Sequence, residues 1–189
     1  MIIGLDISTS IVGIAVLEDS GDIVEVHHVD LRKLKSDRYC EMADKVQEKL
    51  EEIRDSHPGV EFKVFVEEAG KKFRRGTSSA STIFMLARFN GIVCYSSWKT
   101  FGTLPVELDV KDARKSIGLT IPKFPRGTKY AVKKKATKQA VIDFLLEDCK
   151  YTPKEMGFEK TRHDNWQVWC QDRADAIVIA KSGIANKSS

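Results

Sequence analysis

Residues 1–17 read MIIGLDISTSIVGIAVL, and their pattern is the strongest indication of the fold. Ile2 to Ile7 is apolar and rich in β-branched residues, Ser8-Thr9-Ser10 is a polar turn, and Ile11 to Leu17 is apolar again. Such a pattern predicts two strands joined by a short turn. A third strand, Ile23 to Val29, follows another turn, so the chain is expected to open with a three-stranded meander.

Further along the chain the apolar spacing changes to that of helices separated by short strands. The predicted elements are a helix at 37–55, a strand from Phe62 to Val66, a helix at 78–97, a strand from Leu104 to Leu108, and helices from Asp109 to Ser116, Val132 to Glu147 and Val168 to Ala180. The fourth strand follows a helix and should therefore pair in parallel beside the first strand. We expect an α/β fold with a five-stranded mixed sheet flanked by helices.

Size and composition restrict the classes of protein that fit. The chain has 189 residues, of which 42% are hydrophobic and 31% charged, so one domain over residues 1–184 with a flexible tail at 185–189 is expected. No apolar run approaches the ~20 residues of a membrane span, and the N-terminus does not resemble a signal peptide. The four cysteines form no Cys-x-x-Cys pair and are interpreted as free thiols. A soluble cytoplasmic protein without a membrane partner is the expectation.

Charge is distributed unevenly along the chain. Residues 71–138 hold 16 Lys and Arg against 3 acidic residues, whereas the rest holds 15 against 24. This asymmetry fits a central region that faces a polyanion such as nucleic acid phosphates. An ordinary solvated basic face explains the same numbers, and charge alone leaves both interpretations open.

Several carboxylates stand in segments that otherwise read as buried core. Asp6 lies inside the first strand, Glu67 and Glu68 end the fourth, and Asp172 and Asp175 are three residues apart in an apolar helix. Residues at that spacing project from one face of a helix. Buried carboxylates are costly unless they are compensated, and hard divalent cations such as Mg²⁺ or Mn²⁺ prefer oxygen ligands. A metal site is the economical explanation.

Structural explanations remain open at this point. Asp6 could cap the turn that follows it, and either glutamate could be a solvated edge residue. The two helix aspartates could form an exposed stripe paired to Arg173 or Lys181.

The order of these pieces resembles that of the RNase H-like nucleases, and in detail that of RuvC-type Holliday junction resolvases. The resemblance spans nearly the whole chain, and a divergent bacteriophage member fits best. The segments that carry it are Gly4-Leu5-Asp6-Ile7-Ser8-Thr9-Ser10 with Gly13, Val66-Glu67-Glu68, Asn90-Gly91-Ile92-Val93 and Asp172-Arg173-Ala174-Asp175-Ala176.

The resemblance implies a catalytic centre with two metal ions, Mg²⁺ or Mn²⁺. The implied ligands and catalytic carboxylates are Asp6, Glu67, Asp172 and Asp175, and Lys138 joins them as a catalytic residue. Glu67 is preferred to Glu68 because adjacent strand residues face opposite sides. Two ions can activate a water, hold the scissile phosphate and neutralise the leaving oxygen.

The basic residues would then contact DNA. The implied DNA-binding residues are Lys71, Lys72, Phe73, Arg74, Arg75, Lys115, Lys133, Lys134, Lys135 and Lys138. Phe73 is the candidate for stacking on an unpaired base, although a loop phenylalanine tucked against the core fits equally well. A lysine run such as 133–135 is also typical of a solvated helix face.

Two further features follow from the resemblance. The helix at 78–97 would form much of a homodimer interface, matching the two-fold symmetry of a four-way junction. A helix buried wholly in the core explains its apolar residues as well. The segments Leu119–Val132 and Cys149–Gln167 are longer than in cellular members and leave the sequence preference open. His163-Asp164, just before the last helix, either contributes to the site or forms a surface turn.

The expected function is a structure-selective endodeoxyribonuclease that resolves four-way junctions by metal-dependent paired nicks. One alternative is a broader nuclease acting on flaps and other branched DNA. Another is a non-catalytic junction-binding protein of the same fold. An actin-like kinase, whose first hairpin resembles residues 4–10, needs a duplicated domain for which 189 residues are too few.

Overall fold

Five strands and five helices make up the part of the chain that the structure, a computed structural model, describes: residues 1–34, 38–68 and 80–187. The strands are β1 (Ile2–Asp6), β2 (Ile11–Leu17), β3 (Ile23–Asp30), β4 (Lys63–Glu67) and β5 (Val106–Leu108). The helices are α1 (Tyr39–Ser56), α2 (Ala80–Phe101), α3 (Val110–Ser116), α4 (Tyr130–Asp143) and α5 (Trp169–Lys187). A π-helical turn, Phe144–Asp148, continues α4.

All five strands form one mixed sheet in the order β3-β2-β1-β4-β5. The three strands of the opening meander pair antiparallel, whereas β4 pairs in parallel with both β1 and β5. The predicted five-stranded mixed sheet is confirmed, including the parallel pairing after the first helix. Parallel strands end at the same edge, which places the ends of β1 and β4 side by side.

Each face of the sheet buries a separate set of apolar side chains. Alternate residues of β1, such as Ile3 and Leu5, pack with α1 and the buried side of α2. Ile2 and, from β4, Phe65 belong to the second cluster, together with the apolar face of α5. The sheet is therefore the middle layer of three.

Two glycines allow α5 to lie unusually close to the sheet. A Cβ atom at Gly13 would lie 2.0 Å from the carbonyl oxygen of Asp172, and one at Gly4 would lie 2.2 Å from that of Ala176. No side chain fits in such gaps, so glycine at both positions fixes how near α5 approaches β1 and β2.

The last helix is longer than predicted. It continues past Ala180 to Lys187, and Ser182 and Gly183 in this extension are buried. Gly183 lies directly against the ring of Phe65, and the buried hydroxyl of Ser182 is 2.9 Å from that of Ser116 in α3. Tertiary contacts thus override the low helix propensity of glycine and serine. Among the described residues, no helix combines the length and apolarity needed to cross a bilayer.

Candidate active site

Asp6 and Glu67 are brought together by strand register. Each is the last residue of its strand, and Leu5 of β1 stands opposite Val66 of β4 in the parallel pair. Side chains alternate along a strand, so Asp6 shares the α5-facing side with Ile2, and Glu67 shares it with Phe65. The two carboxylates therefore project from one edge of the sheet toward the same helix.

Helix α5 contributes the other two carboxylates. The backbone of Asp172 lies over Gly13, and Gly13 is the cross-strand partner of Asp6. Asp175 follows one turn later on the same face of the helix. The close approach that the glycines permit is thus what places the aspartates of α5 above the end of β1.

These four side chains influence one another electrostatically. Burial raises the pKa of Asp6 well above its usual range, and the negative charges of Asp175, Glu67 and Asp172 raise it further. Burial, followed by the charge of Asp175, raises the pKa of Glu67 to about 7. Burial also raises the pKa of Asp172 to about 6 and that of Asp175 above its usual value. The group behaves as one cluster of like charges, which we call the carboxylate cluster.

The donor chemistry of the carboxylate cluster fits a hard divalent cation. All four residues are half-buried, and carboxylate oxygens are the ligands that such cations prefer. In the geometry of the described residues, however, no three His, Cys, Asp or Glu side chains are grouped to hold one ion. Asp175 instead turns toward Arg114 and Gln171, at 3.6 and 3.4 Å. Sharing an ion requires the carboxylates to rotate toward one another.

Two cations border the carboxylate cluster, one from α3 and one from α4. Arg114 of α3 forms the ion pair with Asp175, and its charge lowers the pKa of Glu67 and of Asp175 against the effect of burial. Lys138 of α4 likewise acts to lower the pKa of Asp6, Asp172 and Asp175. Lys138 was a predicted site residue, and the structure brings it to the carboxylates.

Arg114 was not predicted, although local structure explains its position. Leu108 of β5 pairs with Glu67, and α3 begins two residues later at Val110, capped by the side chain of Asp109. Arg114 therefore lies one turn into a helix that starts beside the cluster. The predicted Lys115 follows it, and both residues line a cleft together with Lys111. The only feature of the sequence that pointed to Arg114 as a site residue was its place beside Lys115 in a basic helix.

The alternative partners of the α5 aspartates are engaged elsewhere. Arg173 donates to the carbonyl oxygen of Gly157, and Lys181 donates to the hydroxyl of Tyr151 at 3.0 Å. The structure therefore does not contain the alternative in which Asp172 and Asp175 form an exposed stripe paired to these two cations. On the strand side, the buried Asn90 of α2 donates to the carbonyl oxygen of Glu67 at 3.4 Å and so anchors the end of β4.

The other predicted site residues do not lie together in one place. Lys134 and Lys135 line a cleft with Lys138, whereas Lys133 is half-buried on the same helix. His163 and Asp164 lie in an exposed turn, in which Asp164 pairs with Lys160 at 2.7 Å. The predicted residues Lys71, Lys72, Phe73, Arg74 and Arg75 lie outside the described residues.

Replacing Arg114 tests the electrostatics of the cluster. In Arg114→Gln we expect the titration midpoints of Asp175 and Glu67 to rise further, because the cation that favours their charged forms is gone. Carbon-detected NMR of the side-chain carboxyl groups in metal-free protein measures both midpoints. Lys111→Gln, an exposed cation on the same helix, is the matched control and should leave them unchanged. Unchanged midpoints in Arg114→Gln would contradict the conclusion that Arg114 lowers the pKa values of Asp175 and Glu67.

Comparison with solved structures places this geometry in a known fold. The chain is similar to "T. thermophilus RuvC in complex with Holliday junction substrate" at 13% identity, covering 100% of this chain and 95% of that one, with a TM-score of 0.61. A second match, "Thermus thermophilus RuvC structure", has 14% identity, coverage of 99% and 95%, and a TM-score of 0.54. No protein-family model and no curated protein sequence matches the chain. The chain therefore has the RuvC-type RNase H-like fold.

Proposed function

We propose that the protein is a metal-dependent endodeoxyribonuclease that resolves four-way DNA junctions by paired nicks. The observation that carries the proposal is that four half-buried carboxylates, from β1, β4 and α5, lie close together at one edge of the sheet. Clustered carboxylates with raised pKa values are unfavourable for folding, and a cation-dependent function gives a reason to keep them. Similarity to a RuvC bound to a Holliday junction supports the choice of substrate.

The carboxylate cluster would hold the metal. In this proposal Asp6, Glu67, Asp172 and Asp175 bind two Mg²⁺ or Mn²⁺ ions, which supply Lewis acidity and an activated water for phosphodiester hydrolysis. The raised pKa values mean that metal binding must displace protons near neutral pH.

The two flanking cations have separate proposed tasks. Lys138, on the side of the cluster next to α4, holds the phosphate group that carries the scissile bond. Arg114 favours the charged form of Asp175 against the effect of burial and positions its carboxylate until a metal ion competes for it. Exchange between these two partners of Asp175 would couple metal binding to a movement inside the cluster.

The remaining basic residues form the proposed DNA-binding surface. Lys133–Lys135 extend from Lys138 along α4, Lys115 lies on the Arg114 side, and residues 71–75 follow the fourth strand in sequence. Helix α2 carries exposed Phe84, Tyr95 and Trp98 along one stripe. We include in the proposal a homodimer that covers this stripe, because exposed aromatic patches of this kind mark interaction surfaces.

A substrate panel tests the proposed function. Purified protein is incubated with labelled four-way junction, flap and linear duplex DNA, with and without Mg²⁺ or Mn²⁺. Symmetrical metal-dependent nicks in the junction support the proposal, whereas equal cutting of flaps indicates a broader debranching nuclease. Tight junction binding without metal-dependent cutting indicates a non-catalytic binding protein. Light scattering on the same sample measures whether the active species is a dimer.

The carboxylate cluster should also make thermal stability depend on pH and metal. The folded pKa values of about 7 for Glu67 and about 6 for Asp172 exceed the usual values near 4 of the unfolded chain. The folded state then binds more protons between pH 4 and 7, so this contribution to stability is present at low pH and is lost as pH rises through 6 to 7.

We expect Asp175→Asn to melt roughly 3–6 °C higher than wild type at pH 8 in EDTA, since it removes one of the repelling charges. The difference should shrink at pH 5.5, and added Mg²⁺ should stabilise wild type more than the variant. Scanning fluorimetry measures all four conditions. Asp44→Asn, on the exposed side of α1, is the control, and an Asp175→Asn that melts below wild type at pH 8 would refute the prediction.

A further inference from the structure

A third cation, Arg32, lies at the edge of the sheet that holds the carboxylate cluster. In the antiparallel meander the end of β1 adjoins the beginning of β2 and the end of β3. Asp30 is the last residue of β3, and the next backbone N–H, that of Leu31, donates to the carbonyl oxygen of Ser10 at 2.8 Å. Ser10 belongs to the turn between β1 and β2. Arg32 therefore follows β3 at the same edge at which Asp6 ends β1.

Helix α5 brings Asp172 toward this end of the sheet, because it crosses the sheet from β3 to β4. Its first residue, Trp169, stacks on the ring of His28 of β3, with the ring centroids 4.9 Å apart. Asp172 follows one turn later over β2, and Gly183 reaches Phe65 of β4. Of the two aspartates of α5 in the carboxylate cluster, Asp172 is thus the one nearer to β3.

Arg32 and Asp172 influence each other across this short distance. Side chains alternate along β3, so Asp30 lies on the α5 side together with His28. The ion pair with Asp30 raises the pKa of Arg32, and the charge of Asp172 adds to the effect. Burial raises the pKa of Asp172, whereas Lys138 and, to a smaller extent, Arg32 oppose that rise. Arg32 is therefore a charged neighbour of the carboxylate cluster.

Asp30 holds the guanidinium group of Arg32 along one edge. Oδ1 of Asp30 accepts from the backbone N–H of Arg32 at 3.0 Å and from Nε at 2.9 Å, and Oδ2 accepts from Nη2 at 2.5 Å. Within the described ranges, Nη1 donates to no group, and 47% of the Arg32 side chain is exposed. The edge formed by Nη1 and Nη2 is thus available for an oxyanion, and a guanidinium that is already held loses less freedom on binding one.

We propose that Arg32 binds a backbone phosphate of the cleaved DNA strand on the β3 side of the metal site. A strand whose scissile phosphate reaches the carboxylate cluster must place its neighbouring phosphates over the groups that border the cluster. Arg114 and Lys138 border it from α3 and α4, and Arg32 does so from β3. The inference rests on the proposed function for its choice of DNA, and it adds a contact outside the basic region 71–138.

The salt dependence of binding tests the contact without any cleavage. Arg32→Gln should bind a labelled four-way junction roughly fivefold to tenfold more weakly, as expected for one lost charged hydrogen-bonded contact. The slope of log Kd against log salt concentration should also fall by about 1, the value for one phosphate contact. Arg32→Lys keeps the charge and should keep the slope. Fluorescence anisotropy in EDTA over a series of salt concentrations measures both quantities.

Arg54→Gln is the matched control. Arg54 pairs with the neighbouring Asp55 through Nε and Nη2, both at 2.8 Å, and 44% of its side chain is exposed. It lies in the last turn of α1, and His57 just beyond it is 3.6 Å from Glu25 near the start of β3, away from the cluster. Arg54→Gln loses the same charge and should bind like wild type. Equal losses in Arg32→Gln and Arg54→Gln would reveal a general charge effect and overturn the proposal.

Neutral linkages in the DNA locate the contact. Junctions are prepared with a single methylphosphonate, which carries no charge, at successive positions of the cleaved strand on either side of the nick. We expect one position at which this change weakens binding by wild type and Arg54→Gln but not by Arg32→Gln, because the contact can be lost only once. If the change weakens binding by Arg32→Gln as much as by wild type at every position, the proposal is wrong.

Cleavage with Mg²⁺ separates this inference from the proposed function. Coupling between Arg32 and one phosphate in a protein that cuts no junction would leave the contact assigned and the resolvase proposal refuted. Metal-dependent cutting by a protein whose Arg32→Gln variant keeps the wild-type salt slope would refute the inference alone. A protein that binds no DNA would refute both.

Discussion

Asp6→Asn is expected to abolish metal-dependent cutting of four-way junctions, with a loss on the order of 10³-fold or more, the upper range for removing one preorganised charged or polar group. The amide keeps the shape of the side chain but removes its charge. Asp6 feels the charges of all three other members of the carboxylate cluster, so it is central to the cluster electrostatically. Gel assays with labelled junction and Mg²⁺ or Mn²⁺ measure the rate.

Junction binding by Asp6→Asn should be retained or strengthened, because one negative charge near the phosphates is gone. Fluorescence anisotropy in the absence of metal measures this and shows that the variant is folded. Asp44→Asn, an exposed aspartate of α1, is the control and should cut like wild type. Undiminished cutting by both Asp6→Asn and Asp175→Asn would show that the carboxylate cluster is not the catalytic centre.

The strands and the placement of Asp6 near Glu67 were accessible from sequence because both depend on local patterns. Alternation defines the strands, and a helix between two strands favours parallel pairing, which brings their ends together. β2 was predicted to the residue, and β1, β3 and β4 to within one or two positions. Helical spacing was enough to predict that Asp172 and Asp175 share one face of α5. Their proposed role as metal ligands came from the resemblance to RuvC-type enzymes.

Features set by packing between distant segments were not accessible in this way. The approach of Arg114 to Asp175 depends on how α3 docks after β5, and the length of α5 depends on Gly183 lying against Phe65. The cleft that Lys134, Lys135 and Lys138 line exists only where α4 faces residues 164–168. None of these contacts leaves a periodic signal in the sequence, since each joins segments more than 60 residues apart or residues in irregular loops.

Gly13→Ala is expected to damage both the fold and the site. The added Cβ would lie 2.0 Å from the carbonyl oxygen of Asp172 and 2.4 Å from its carbonyl carbon, and both are backbone atoms that cannot rotate away. Helix α5 must move outward, which we expect to lower the free energy of unfolding by roughly 2–4 kcal/mol. The movement also carries Asp172 away from Asp6, and a displacement near 1 Å can reduce catalysis about 100-fold.

A loss of activity could also follow from instability alone, and the neighbouring residue separates the two causes. Val12 is fully buried and faces the α1 side of the sheet, so Val12→Ala should cost about 2 kcal/mol without moving α5. Urea unfolding gives both stabilities, and junction cleavage at 20 °C is then normalised to the folded fraction. We expect normal cutting per folded molecule in Val12→Ala and about 100-fold less in Gly13→Ala. Equal normalised rates would mean that the position of α5, and with it the placement of Asp172, does not control the chemistry.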